Sequence, residues 1–233
     1  MKKRRQLLIV IIISTLVLLI WNLPSLQLIR YPLLLLGTWF HEMGHGITAM
    51  LLGGDFLYLE IYENGGGTAY SVLSNGYLSQ SLARALTAAG GLLGPTIAGA
   101  LLIVSAKNSR SSIIALWALV SILIISLLIW IKSIVAWIVL GIVAILLVII
   151  ILLKKKNITS LTILFLGTQC VFSSYLQIGY LFTKQFERDG QIQYSDTQVI
   201  ASYVFGTYWM WGLLILLISV FVLYKSYRYY LRN

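Results

Sequence analysis

Long apolar runs alternate with short polar breaks along most of the chain. A run of roughly 20 apolar residues is long enough to cross a bilayer as a helix. The pattern predicts seven such spans, over residues 6–21, 33–52, 81–106, 113–131, 134–153, 158–182 and 204–224. We therefore expect an all-α polytopic membrane protein in which residues 1–233 form a single integral membrane domain.

One stretch, residues 55–74, departs from the helical pattern. Leu57, Leu59 and Ile61 alternate with larger or polar side chains, the turn ENGGG follows, and a strand-like composition resumes at Thr68. Period-2 alternation on both sides of a glycine-rich turn predicts a β-hairpin, inserted beside the second span. Two roles are open for it: an edge strand that pairs with an extended substrate, or a structural plug over a cavity.

Composition places the chain in lipid: 59% of its residues are hydrophobic and 10% charged, and its mean hydropathy is +0.91. The net charge of +10 comes from basic clusters at the ends of apolar runs, which indicates contact with lipid headgroups and not with nucleic acid. The KKRR start favours a cytoplasmic amino terminus, with the hairpin near the cytoplasm. KNSR, KKK and the basic tail fall on the opposite side of a seven-span topology, so orientation is open. The pattern does not indicate an oligomeric state.

Both histidines of the chain lie in the second predicted span, within FHEMGH. His41 and His45 are four residues apart and share one face of a helix, where their ring nitrogens converge on one ion. This is the HExxH spacing of a zinc helix, in which Glu42 takes a proton from the zinc-bound water. The alternative is two rings packed between helices, with Glu42 as the counter-ion of a buried base.

Catalytic zinc sites usually have three protein ligands, and the chain has no third histidine. Asp196 is the first choice for the third ligand, because Ser195 would cap a helix whose first turn carries Asp196. Asp189, before Gly190, is the second choice, and Glu63 on the hairpin is the third. The alternative for Asp196 is an acid at a helix start that faces water. The only cysteine, Cys170, has no partner for an intramolecular disulfide.

Several motifs together resemble the site-2-protease class of intramembrane zinc metallopeptidases, especially its compact bacterial peptidase-like branch. They are FHEMGH, GG before a short hairpin, AAGGLLGPTIAGALL, LFLGTQC and SDTQVIASYVFGTYWMWGLLIL. The resemblance implies His41 and His45 as zinc ligands, Glu42 as the base, and a place in a bacterial cell membrane. Better-known members take the third ligand from an LDG motif on a later span, and the nearest string here is RDG, in a polar loop.

The expected function is that of an intramembrane zinc metalloprotease, which hydrolyses peptide bonds in or near transmembrane segments of membrane-protein substrates. Hydrolysis in lipid needs a water-accessible cavity, expected to open toward the hairpin. The alternative is a non-proteolytic membrane protein that uses the HExxH helix for metal binding, transport or scaffolding. A transport pathway would need further ionisable residues in several helices, whereas Lys132 is the only charge between Arg110 and Lys154.

Overall fold

The computed structural model of the chain describes residues 2–20, 27–73, 78–176, 178–188 and 190–232. Its long helices are α1 (Lys2–Ile20), α2 (Gln27–Leu51), α3 (Gln80–Ser105), α4 (Ser109–Ile129), α5 (Ile134–Leu152), α6 (Lys156–Leu176) and α9 (Tyr208–Leu231). Within the described ranges, α3, α4, α5 and α9 are long and apolar enough to cross a membrane. The structure is thus mostly helical, as predicted, and the chain is an integral membrane protein.

Helix α2 begins earlier than the sequence pattern predicts. The expected start was residue 33, after Pro32, but the helix starts at Gln27 and contains Pro32. Proline removes one backbone donor from the helix, yet the helix continues through Pro32 and buries the apolar face that follows. Leu35 and Trp39 are fully buried there, and the Trp39 indole Nε1 donates to the Ser126 hydroxyl on α4 at 2.8 Å.

The predicted hairpin is present as β1 (Asp55–Ile61) and β2 (Gly67–Val72), which pair in antiparallel register. The outer edge of β1 is covered by the link between α4 and α5. The Leu59 N–H donates to the Trp130 carbonyl at 2.9 Å, and the Lys132 N–H donates to the Leu59 carbonyl at 3.1 Å. Lys132 thus lies in the link between α4 and α5, which covers β1. The other strand, β2, has its outer edge on the side away from this link.

The polar segment 183–198 was expected to be a loop, but the structure folds most of it. It contains a second antiparallel pair, β3 (Gln185–Arg188) and β4 (Gln191–Tyr194). Two residues join these strands, and one of them, Gly190, has a φ of 75°, a left-handed conformation that suits glycine in a tight hairpin turn. Two short helices flank the pair, α7 (Ile178–Leu181) and α8 (Asp196–Tyr203).

The two ends of the chain meet at one end of the helical bundle. The Lys3 Nζ donates to the Arg232 carbonyl at 3.1 Å, and the Tyr230 hydroxyl donates to Gln6 Oε1 at 3.1 Å. Lys107, after α3, stacks on the Tyr229 ring here. Seven full crossings would separate the two termini, so this contact is inconsistent with the predicted count. We call this the basic end, because every described Asp and Glu lies instead in α2, the two hairpins or α8.

Candidate metal site

Helices α2 and α3 approach closely through glycine residues. A Cβ atom on Gly90 would lie 2.0 Å from the Thr48 Oγ1, and one on Gly91 would lie 2.2 Å from the His45 ring. Small residues at a helix interface, here those of the run AAGGLLGP, allow such approach within a membrane. The close contact places the backbone of α3 directly against the histidine face of α2.

The two histidine rings point their Nε2 atoms at each other, 3.1 Å apart. The Nδ1 atom of His45 lies 2.8 Å from the Thr87 carbonyl of α3. Because a carbonyl only accepts, His45 carries a proton on Nδ1 and its Nε2 lone pair is free for a metal when the ring is neutral. Two imidazole lone pairs that face each other at this distance repel unless a cation or proton lies between them.

Asp196 reaches the histidines because a cap fixes the start of α8. The Ser195 hydroxyl accepts from the Gln198 N–H, as expected for a helix cap, and donates to the Thr183 carbonyl. The Asp196 N–H donates to the Tyr180 hydroxyl at 3.2 Å. The carboxylate Oδ2 of Asp196 then lies 3.1 Å from His41 Nε2 and 3.3 Å from His45 Nε2.

The three facing atoms fit a bound metal ion. Ligand atoms on a tetrahedral ion with bonds of about 2.0–2.1 Å are about 3.3 Å apart, close to the observed separations. Asp196 Oδ2 is buried and forms no well-directed hydrogen bond within the described residues. Burial would raise the pKa of the Asp196 carboxyl, but the His45 and His41 imidazoles hold it well below its usual range. An ionised carboxylate and two imidazoles are a donor set typical of metal sites.

Glu42 lies beside these residues in the same cavity. Its side chain is only 4% exposed, and with His41, His45 and Asp196 it lines a cavity of about 900 Å³. Strand β2 borders the carboxyl group, because a Cβ atom on Gly67 would lie 2.6 Å from Glu42 Oε1. The cavity is also lined by Phe186 of the second hairpin.

Of the other candidate ligands, Glu63 is not part of this cluster. Glu63 is exposed at the turn between β1 and β2, where its carbonyl accepts from the Tyr31 hydroxyl at 3.0 Å. Cys170 is buried in α6 and is not part of the described metal-ligand group. Asp189 lies outside the described residues.

Three residues of the site were not identified from the sequence. Thr87 contributes its backbone carbonyl. Because every residue has this group, the sequence gives no indication that Thr87 belongs to the site. Tyr180 falls at the end of a predicted span, and its ring lies edge-on to His41 at 6.2 Å between centroids. Arg188 was noted only as part of RDG, although an arginine next to a candidate acidic ligand in a polar loop is a usable signal.

The fold and the buried His/His/Asp group define a helical membrane protein with a candidate metal centre. Residues 8–226 match the model of the family described as Peptidase M50B-like. The chain belongs to this family. This membership is consistent with its resemblance to the site-2-protease class of intramembrane metallopeptidases. No curated protein and no solved structure gives a significant match to the chain.

Gly91→Ala is expected to disturb the candidate metal site through packing alone. The added methyl group would overlap the His45 ring, so α2 and α3 must separate, at a cost of about 1–3 kcal/mol. We expect a lower thermal midpoint and a lower metal content in the purified protein. Gly141→Ala on α5 is the matched control, because its Cβ atom would meet nothing within 4 Å. Equal metal content in the two variants would contradict this packing role.

Proposed function

We propose that the chain is a zinc metalloendopeptidase that hydrolyses peptide bonds in or near the transmembrane segments of other membrane proteins. The observation that carries the proposal is the convergence of His41 Nε2, His45 Nε2 and Asp196 Oδ2 at 3.1–3.3 Å. Glu42 lies in the same cavity, within a bundle of apolar helices. Membership of a peptidase family supports the reaction class. We treat residues 1–233 as a single integral membrane domain. The resemblance implies that this domain lies in a bacterial cell membrane.

Each residue of the site has a separate role in the proposed hydrolysis. Zinc held by His41, His45 and Asp196 would polarise the scissile carbonyl and acidify the attacking water. Glu42 is the general base that takes the proton of that water, and it returns the proton to the leaving amine. Thr87 holds the His45 ring in the required tautomer through the Nδ1 hydrogen bond. The Tyr180 hydroxyl accepts a hydrogen bond from the Asp196 N–H and so helps to orient the start of α8.

The substrate segment would bind as an extended strand along β2. A helical peptide bond is shielded by its own hydrogen bonds, so the segment must unwind before cleavage. Gly67, Thr68 and Ala69 line the cavity beside Glu42, and the other strand of the hairpin is already covered. This arrangement favours strand addition over the alternative of a plug.

The distribution of charge indicates how the protein lies in the membrane. The amino terminus lies at the basic end together with Lys107 and the tail of α9. These basic residues therefore lie on the same side of the membrane. The positive-inside rule places such an end in the cytoplasm. The hairpins and the cavity would then open on the opposite side, and not near the cytoplasm as a seven-span topology with a cytoplasmic start implies.

Removal of the metal tests the proposed function directly. We expect the purified protein in detergent to cleave a membrane-spanning peptide. Its activity should fall at least about tenfold when a chelator removes the metal, and it should return when Zn²⁺ is added. Activity that survives complete loss of metal, shown by elemental analysis, would contradict a metalloprotease.

The same measurement in sealed vesicles tests the orientation. A membrane-impermeant chelator is expected to inhibit right-side-out vesicles, which expose the side opposite the cytoplasm, and to leave inverted vesicles active. The reverse result would place the cavity on the cytoplasmic side.

A further inference from the structure

The backbone groups of Gly67 point into the cavity. The Tyr62 N–H donates to the Gly66 carbonyl at 2.8 Å, so these two residues are a hydrogen-bonded pair at the turn. Pairs alternate along an antiparallel ladder, and therefore the next pair, Ile61 and Gly67, directs its N–H and C=O groups outward. The Ile61 N–H does so, because it donates to the Ser133 hydroxyl at 3.0 Å. On the other side, the Gly67 groups face the free edge of β2.

Arg188 occupies this edge from the second hairpin. Its guanidinium donates to the Gly67 carbonyl at 3.0 Å and to the Thr68 hydroxyl. The donor takes the place that a backbone N–H of an added strand would take at Gly67. Because Gly67 borders Glu42, this edge position lies directly beside the proposed base.

Aromatic rings hold the guanidinium in place. Its central carbon lies 5.0 Å from the centroid of the Tyr62 ring and 5.2 Å from that of Phe186, distances at which a cation is attracted to a ring face. Tyr62 lies at the end of the first hairpin and Phe186 lies on β3. Arg188 thus connects the two hairpins where they line the cavity.

We propose that Arg188 is a latch that closes the β2 edge in the substrate-free protein. This inference rests on the proposed function and adds a means of substrate selection to it. A segment that pairs with Gly67 must displace the guanidinium, which a helical segment cannot do, because its own backbone donors are already used. The latch therefore selects membrane segments that unwind next to Glu42.

The expected size of the effect follows from the population of open protein. Apparent affinity is reduced by the fraction of molecules in the binding-competent state. Loss of one charge-assisted hydrogen bond shifts such an equilibrium by about tenfold, and this is the smallest effect expected for Arg188, which donates to two acceptors. Removal of the latch should therefore lower KM by at least about tenfold and leave kcat within about twofold.

Arg188→Ala and Arg188→Lys test the latch, with Lys184→Ala as the matched control. Lys184 is an exposed cation just before β3 and does not line the cavity. Without substrate, we expect the amides of the second hairpin to exchange with deuterium several-fold faster in Arg188→Ala than in the control. Arg188→Lys, which keeps the charge but lacks the planar fork, should be intermediate. With a membrane-spanning peptide, KM should fall in Arg188→Ala, fall less in Arg188→Lys and stay unchanged in Lys184→Ala.

Two results would overturn the latch. Unchanged hydrogen exchange in Arg188→Ala would show that Arg188 does not hold the hairpins together. A rise in KM would show that Arg188 binds the substrate and does not compete with it. Exchange is measured without catalysis, so the latch can fail while metal-dependent cleavage persists. Conversely, absence of metal-dependent cleavage in the wild type would remove the proposed function whatever the exchange data show.

Discussion

Glu42→Gln is expected to abolish nearly all peptide-bond cleavage while the metal stays bound. Glutamine has almost the same size as glutamate but cannot take a proton from water, and loss of a general base typically lowers the rate by about 10²–10⁴-fold. Glu42 is not among the three converging ligand atoms, so zinc content should match the wild type. The measurement is kcat with a membrane-spanning peptide, together with elemental analysis of the same sample.

Glu63→Gln is the matched control for this variant. Glu63 is an exposed glutamate at the turn of the first hairpin, and its neutralisation should leave kcat within about twofold. Full activity of Glu42→Gln with normal zinc content would contradict the protease and would favour the non-proteolytic alternative. Loss of both zinc and activity would instead make Glu42 part of the metal site.

The features that the sequence predicted well depend on local patterns. The spacing of His41 and His45 places both rings on one face of a single helix, and the structure keeps them there, with Nε2 atoms 3.1 Å apart. The first hairpin follows from alternation around ENGGG. Asp196 ranked first because a serine cap is also local, and α8 begins at Asp196 as expected. Its position beside the histidines agrees with that ranking, and its role as a ligand stays a prediction.

The features that the sequence did not predict depend on contacts between distant segments. The second hairpin consists of two strands of four residues, too short and too polar for alternation to distinguish them from a loop. The bond from Arg188 to Gly67 joins residues 121 positions apart. The meeting of the two termini depends on the packing of α1 against α6 and α9, where Gln169 donates to the Ser14 hydroxyl. No periodicity encodes which helices become neighbours.

The position of residues 180–196 next to α2 explains why this short, mostly polar segment contributes several residues to the site. Residues 180–196 contribute Tyr180, Arg188 and Asp196 to one cavity, whereas α2 contributes His41, Glu42 and His45 from within the bundle. A carboxylate on an extramembrane segment can approach the histidines without crossing lipid, where a charged group is costly. If Asp196 is the third ligand, as proposed, this gives a physical reason for its place outside a span, in contrast to the LDG motif of better-known relatives.

Asp196→Ala is expected to remove most of the bound zinc, and cleavage with it. Two imidazoles alone leave the metal with too few protein ligands for a catalytic site. Loss of even a supporting residue around a zinc site typically lowers affinity 10–100-fold, so loss of a ligand should lower it by more than about 100-fold. The measurements are zinc stoichiometry after dialysis and a competition titration with a chromophoric chelator.

Asp55→Ala is the control for this loss, because Asp55 is an exposed aspartate at the start of β1. It should keep wild-type zinc and wild-type activity. If Asp196→Ala retained tight zinc binding, the third ligand would have to be another group, and Asp189→Ala would be the next variant to examine. If zinc were lost but the protein stayed folded by circular dichroism, Asp196 would be assigned as a ligand and not as a structural cap, since the cap is provided by Ser195.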